Sequence, residues 1–415
     1  MITPFPPEKC GIATYASKLV ARLANQAEVV VIASKNGEDQ STVGSSVRVI
    51  RTWNKSSALY VFQVMKQVTE ESPDIIHIQH EYLAYGPRKY SVLFPVLLLL
   101  LRLLRRTVVV TMHSVVRINN LTGDFFFDHQ AGRRFAAVKR ALMVLFTRTT
   151  VSLSDAVIVH NEYMRNALIK DYRIEGKNVV VIPHGFDVDL IQVDSLEAKK
   201  ELRLSGKRVL LFSGFVIPGK GVEVLIKSFS ELCRKLTNVT LVIAGGYHPR
   251  LFRELPSYIG AIERLIRDLR LDDNVIFENG FISNQRLQIY VSAADVVVFP
   301  YTDDSILGAS GALATCASTS KVLIATRIPR FTSDLKNGVN AIIVEPNNIR
   351  QLSDAMGIAL GDPKLRENLE RGLRAYAMER NWDRISILTY EVYLTRSGLR
   401  NRSCGKVDHI IGITN

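Results

Sequence analysis

Two spacings of apolar residues alternate along the chain. Short continuous apolar runs fall at Val29–Ala33, Asp74–Gln79, Thr107–Met112, Ala156–Val159 and Val179–Ile182. Between them, Gly11–Ala24, Ala58–Glu71, Val92–Arg105 and Phe135–Thr147 carry the three-to-four-residue spacing of helices. The second half repeats the plan. Strands are predicted at Val209–Phe212, Val239–Ala244, Val275–Glu278, Val296–Pro300, Val322–Ala325 and Ala341–Val344. Helices are predicted at Val222–Leu236, Tyr258–Leu269, Asn284–Ala293, Gly311–Ala317 and Asn348–Gly361. Unbroken apolar strands alternating with helices imply parallel sheets covered on both faces, hence an α/β protein. Two such doubly wound halves are expected to face a central cleft at the carboxyl ends of their strands.

The predicted organisation is a first domain over 1–186, a polar link over 187–206 and a second domain over 207–362. The helical stretch 363–396 is expected to pack back on the first domain, and 397–415 to form a loose tail. At 415 residues, with 47% apolar and 22% charged, the chain is long enough for two cores. Four scattered cysteines without a Cys-x-x-Cys imply a reducing compartment and no disulfide framework. The first ten residues do not read as a secretory signal. The longest apolar run, Val92–Leu101, is too short to span a bilayer, which takes roughly 20 residues. The expectation is a cytoplasmic protein, peripheral at the inner face of the membrane.

The location of the charge adds more than its net value of +13. Residues 88–148 hold eleven Lys or Arg against two Asp, beside the Val92–Leu104 run and the Phe125–Phe127 triplet. Basic residues interleaved with apolar ones suit an anionic membrane surface. The competing expectation is that Val92–Leu104 is a buried crossover helix with solvated arginines at its ends. Nucleic acid is not expected, because no nucleic-acid motif accompanies the charge.

Candidate chemistry sits at strand ends. The stretch Val209–Gly246 reads strand, loop with Gly214, Gly219, Lys220 and Gly221, helix, then a strand ending at Gly245 and Gly246. A lysine between glycines at a helix start suits a diphosphate. Gly221 stands where a P-loop needs Ser or Thr, so this is not that motif. Gly11 opens the first helix and leaves room for a ligand near the backbone. His80 and Glu81 follow one strand and are candidate acceptor contacts; a metal there lacks an obvious third ligand. His113 ends the next strand, where an imidazole can bond or take a proton. His184 and Gly185 read as a fixed turn. Ser310 and Gly311 open a helix whose amides suit phosphate oxygens.

With these segments in order, the chain resembles the retaining group-1 (family 4) glycosyltransferases of GT-B fold, two Rossmann-like domains, from Pro6 to about Tyr393. Cys-Gly-Ile-Ala-Thr-Tyr, His-Ile-Gln-His-Glu-Tyr, Val-Thr-Met-His, Ile-Pro-His-Gly-Phe-Asp, Ser-Gly-Phe…Gly-Lys-Gly and Ile-Ala-Gly-Gly carry the likeness jointly. The resemblance implies a nucleoside-diphosphate sugar as substrate, no cofactor and no metal. It implies that the second domain holds the donor through Gly214, Lys220, Gly245, Ser310 and Gly311, with Gly11 across the cleft. Backbone around Gly280–Ile282 is expected to meet the base, with Ile282 among the donor contacts. His113 is implied beside the transferred sugar, with the leaving diphosphate assisting proton removal.

The chain departs from the family pattern in two places. Phe215 stands where an arginine is usual, so Arg286 or Arg327 is expected to supply the second cation. Leu307 and Thr315 align with the paired glutamates. A subgroup with Pro-Tyr…Ser-Gly-x-Leu also lacks that pair, and Pro-Tyr…Ser-Gly-Ala-Leu here is similar to it. Asp304, or Asp303, is then expected to take the sugar contact. The function expected is transfer of a mannose- or glucose-type hexose to a lipid-linked or glycan acceptor. The alternatives are a sugar-nucleotide epimerase and a non-catalytic glycan- or partner-binding protein of the same fold.

Overall fold

The computed structural model describes residues 1–35, 40–42, 47–128, 131–188, 193–246, 255–280, 282–319 and 321–398. The tail expectation lies mostly outside these residues. Two compact units appear: 1–185 with 305–309 and 382 onward, and 186–304 with 310–381.

The first unit runs α1 (Gly11–Leu23), β1 (Val29–Ser34), β2 (Gln40–Thr42), β3 (Val47–Trp53), α2 (Tyr60–Glu71), β4 (Ile75–His80), α3 (Arg88–Ser91), α4 (Phe94–Leu103), β5 (Thr107–Met112), β6 (Ser114–Val116), α5 (Gly123–Asp128), α6 (Ala136–Ser152), β7 (Ala156–Val159), α7 (Glu162–Asn166) and β8 (Val179–Val181). Parallel strands β4-β5-β7-β8 form one sheet and β2-β3-β1 another. Ile2 joins them by bridging Ile32 of β1 and Ile78 of β4. One side of the sheet buries Val64, Leu97, Leu98 and Leu101 of α2 and α4. The other buries Tyr15 and Leu19 of α1.

The chain continues with α8 (Ser195–Glu201), β9 (Arg208–Ser213), α9 (Val222–Cys233), β10 (Val239–Ala244), α10 (Leu255–Asp268), β11 (Val275–Glu278), α11 (Asn284–Ala293), β12 (Val296–Phe299), β13 (Ile306–Gly308), α12 (Gly311–Cys316), β14 (Val322–Thr326), α13 (Pro329–Thr332), β15 (Ile342–Val344), α14 (Ile349–Gly361), α15 (Pro363–Met378) and α16 (Trp382–Ser397). Six parallel strands in the order β11-β10-β9-β12-β14-β15 make the sheet of the second unit. The order turns back between β9 and β12, so the carboxyl ends of these two strands part at a crevice.

The division differs from the predicted one in three ways. The expected link is largely part of the second unit, where α8 packs on α11 and Ala198 and Leu204 are buried. Helix α15 also stays there, because Leu369, Leu373 and Ala377 enter that core; only α16 packs on the first unit. Finally, β13 pairs antiparallel with β6 and belongs to the first unit. Leu307, expected from the resemblance to align with one of the paired glutamates, lies opposite Val115 and fills the first unit's core, which suits an apolar side chain.

Candidate functional site

In the second unit the crevice is lined from two loops. The loop after β9 carries Gly214 to Gly221; the segment after β12 carries Tyr301 to Asp304. They are stitched by amides of Thr302 and Asp303, which both donate to the Gly219 carbonyl, at 2.9 and 3.4 Å. Gly221 has φ +70°, and a Cβ there would lie 1.9 Å from the Pro300 carbonyl oxygen. Only glycine permits this approach. Gly245 plays the same part after β10, where a Cβ would lie 1.9 Å from the Gly214 oxygen.

Lys220 is carried at the tip of the loop, with Nζ 3.8 Å from the centroid of the Tyr301 ring. Burial first, then the positive charge of Arg330, push its ammonium well below the usual lysine range, while Asp304 opposes them. Arg330, from α13, reaches the same place. Its Nε donates to Asp304 Oδ1 at 3.1 Å and its backbone amide to Oδ2 at 2.8 Å. The pair is well buried. Lys220 and Arg330 thus converge beside one carboxylate, and an anion bound there would favour the charged form of Lys220.

Asp304, expected to contact the sugar, is engaged by Arg330 at both oxygens and holds that side chain in place. The cation found beside Lys220 is Arg330, whereas Arg286 and Arg327, expected there, make other pairs. Arg327 pairs with Glu345 on the surface, and Arg286 lies over Tyr290 beside Glu201. Arg330 lies 110 residues beyond Lys220 in sequence, and only the sheet order brings β12 and β14 together beside β9. Ser310 caps α12 by accepting from the Leu313 amide at 3.2 Å, and Gly311 follows exposed. Of the base-contacting stretch, Gly280 and Ile282 are described and residue 281 lies outside the described residues. Gly280 and Gly214 have no heavy atom closer than 3.8 Å to the place of a Cβ.

In the first unit, Gly11 opens α1 with free space where a side chain would stand. The carboxyl ends of β4, β5 and β7 then bring histidines together. His113 Nε2 is 2.8 Å from Gln79 Oε1, and its Nδ1 is 3.1 Å from His160 Nε2. Both ring nitrogens of His113 therefore face protein groups. The ring of Tyr15 stands edge-on to His113 at 4.7 Å and lies 5.1 Å from both His184 and Trp382. Burial is the main cause that holds these imidazoles neutral: His160 is pushed down to about 3 and His184 to about 4, and His113 is well below the usual range, with the neighbouring histidines adding to the effect. His160 and Tyr15 were not singled out from sequence. The order of β4, β5 and β7 in the sheet is the signal that would have found His160.

His80 is not an acceptor contact. It is 1% exposed and packs on Phe94 with ring centroids 4.4 Å apart. Its neighbour Glu81 remains half-buried and accepts from Ser114 Oγ at 2.6 Å.

Residues 10–190 match the family described as Glycosyltransferase Family 4, and residues 194–375 match Glycosyl transferases group 1. The chain belongs to the group-1 glycosyltransferases of GT-B fold. A D-inositol 3-phosphate glycosyltransferase of Xylanimonas cellulosilytica is 25% identical, over 68% of this chain and 65% of that protein. The chain thus spans slightly less than two thirds of that relative. A GDP-mannose-dependent alpha-(1-6)-phosphatidylinositol monomannoside mannosyltransferase of Mycolicibacterium smegmatis is 24% identical over 91% of this chain and 92% of its own length. In fold, the chain is similar to a sucrose-phosphate synthase from Thermosynechococcus elongatus (TM-score 0.72, 20% identity, 94% of each chain). It is also similar to Anabaena HepE in complex with UDP-glucose (TM-score 0.71, 16% identity, 95% of this chain and 98% of that one).

Proposed function

We propose that this protein is a retaining, metal-independent hexosyltransferase. It moves a mannose- or glucose-type sugar from a nucleoside-diphosphate donor to a lipid-linked or glycan acceptor. The observation that carries the reading is the Lys220–Arg330–Asp304 cluster at the switch point of the second sheet, walled by glycine backbone. An incoming diphosphate brings negative charge beside Lys220 and Arg330. It also restores the full charge of Lys220, which then stabilises the departing nucleoside diphosphate. The names of the relatives, which speak of mannosyl and other glycosyl transfer, and a structural neighbour holding UDP-glucose agree with that donor class. With the family's glutamate position occupied by the buried Leu307, the protein's part in catalysis is to hold the reactants in line and to steady the leaving charge.

The acceptor side of the proposal includes an anionic membrane surface. In α4, one stripe (Phe94, Leu97, Leu98, Leu101) is buried while Val96, Leu99 and Leu103 face outward. In α6, Val138, Leu142 and Leu145 are exposed at helical spacing, with Arg133, Arg134 and Arg140 near them and Phe135 exposed at the helix start. The run Val92–Leu104 is therefore both a crossover helix and an outward apolar stripe. Among the described residues no helix is long and apolar enough to cross a membrane.

The test is a thermal-shift panel of nucleoside-diphosphate sugars on the native chain and on Lys220→Ala. At least one donor is expected to raise the melting temperature of the native protein, with the shift lost in the variant. No shift with any donor overturns the reading.

A further inference from the structure

Six groups stand in one hydrogen-bonded row across the carboxyl ends of the first sheet. Tyr393 Oη is 2.6 Å from His77 Nδ1, and His77 Nε2 is 2.7 Å from Thr111 Oγ1 and 3.2 Å from Gln79 Nε2. Gln79 Oε1 is 2.8 Å from His113 Nε2, His113 Nδ1 is 3.1 Å from His160 Nε2, and His160 Nδ1 is 3.2 Å from the Ile182 carbonyl oxygen.

The protons of this row can be counted. From Gln79 to Ile182 there are three gaps, and each needs one hydrogen. With the amide oxygen towards His113, both ends of this stretch are acceptors. Two neutral imidazoles carry two hydrogens, one short of the three required. A singly protonated histidine pair fills all three gaps. The other solution is a half-turn of the Gln79 amide, which exchanges its oxygen and nitrogen within nearly the same outline. The amide then donates to His113 Nε2, His113 Nδ1–H donates to His160 Nε2, and His160 Nδ1–H donates to Ile182. Upstream, His77 Nε2–H donates to Thr111 Oγ1 and towards the amide oxygen, and Tyr393 O–H donates to His77 Nδ1. Each gap from Tyr393 to Ile182 then holds one hydrogen and no charge is buried.

We infer that the orientation of the Gln79 amide and the charge of the His113–His160 pair are one coupled variable, and that the resting state is the neutral row running from Tyr393 to Ile182. Gln79 and His160 are then positioning residues. They fix His113 as the Nδ1–H tautomer and hold its ring plane. His113 has no nitrogen left for a ligand while both bonds persist, so it meets a bound sugar through its ring edge or backbone and does not act as a base. The titratable groups facing the row are the Met1 amino group, His80, His184 and Tyr15; burial holds the amine and these rings neutral beside it, as it does His77 and the pair. The inference rests on these hydrogen bonds alone and stands or falls independently of the donor reading.

The experiment is long-range proton–nitrogen correlation on the full chain labelled with 15N-histidine at pH 7.5, with His113→Asn and His160→Asn used for assignment. The expected spectrum shows His113 and His160 both as neutral Nδ1–H tautomers. An Nε2–H tautomer or an imidazolium pattern at either residue overturns the inference. Gln79→Glu supplies a second readout, because an ionised carboxylate offers only acceptors and one extra hydrogen must then enter the row, on the pair or on the carboxyl itself. The variant, also labelled with 13C at the Glu carboxyl, is expected to show either an imidazolium pattern or a protonated carboxyl at the same pH, and neutral imidazoles beside an ionised carboxylate in a folded variant refute the proton count. If that variant does not fold, the spectrum of the native chain still decides.

Discussion

Gly185 lies flat against the indole of Trp382. A Cβ on Gly185 would come within 2.5 Å of Trp382 Cδ2, closer than non-bonded carbons approach. The contact seats α16 on the first unit, next to Tyr15 and His184. Gly185→Ala must therefore displace the indole. It is expected to cost about 1–3 kcal/mol, as overpacking in a well-packed core does. Chemical denaturation followed by Trp fluorescence reads this directly, and a cost below the error of the method would show that α16 yields easily.

Gly221 makes a matching prediction in the second unit. Gly221→Ala combines a positive φ with a 1.9 Å approach to the Pro300 carbonyl. Strain of about 1–3 kcal/mol is expected from the backbone alone. The useful measurement is paired: lowered thermal stability together with weakened nucleoside-diphosphate binding. Loss of stability with unchanged binding would separate this loop from the donor site.

The buried histidines make the fold sensitive to mild acid. His77, His80 and His160 are held near 3 and His184 near 4, chiefly by burial, against about 6.5 for an exposed histidine. The unfolded chain binds protons that the folded chain refuses, so stability is intact above about pH 6.5 and falls as pH drops below it towards 4. Each group contributes about 1.4 kcal/mol per pH unit within that window. Denaturant midpoints at pH 7.5, 6.5 and 5.5 are expected to fall steeply over the last step, and a flat profile would mean that these imidazoles are hydrated.

The proposed donor site predicts that Lys220 couples binding to a proton. Its ammonium is depressed in the free protein, and a diphosphate bound beside it would raise it again, so binding is expected to take up protons and to weaken as the pH rises. Calorimetry in two buffers of different ionisation heat is expected to show net uptake by the native chain and none by Lys220→Ala. Equal apparent heats in both buffers would place the diphosphate elsewhere.

The outward stripes of α4 and α6 predict a salt-sensitive, apolar membrane contact. Leu99→Asp with Leu142→Asp, both at exposed positions, is expected to leave folding intact. It should reduce flotation with anionic vesicles at least tenfold, and the native chain should float less as salt rises. Binding that is equal on neutral and anionic vesicles, or unchanged in the double variant, argues against this surface.

Strand and helix periods were readable because their burial is local. Every predicted strand of the second half is present within about one residue, since each is a continuous apolar run and most are buried on both faces. Strand β3 escaped notice because Val47–Trp53 alternates inward residues with Arg48, Ile50 and Thr52. What the sequence hid was long-range pairing. Leu307 finds Val115 across 192 positions, and Arg330 finds Asp304 only after β12 and β14 lie side by side. The histidine row was hidden for the same reason, because three strands must first take their order before their last residues become neighbours.

The path of the backbone sets the terms on which relatives of this protein can exchange halves. The chain changes unit at 185/186, 304/305, 309/310 and 381/382, so neither unit is a single continuous stretch. A crossover at residue 186 alone would give one parent's first sheet the other parent's β13 and α16. Leu307 would then meet a foreign counterpart of Val115, and Trp382 a foreign counterpart of Gly185. Recombination between such genes yields working hybrids only when those two short returns travel with the half they complete, a constraint that ties two distant parts of the gene together in inheritance.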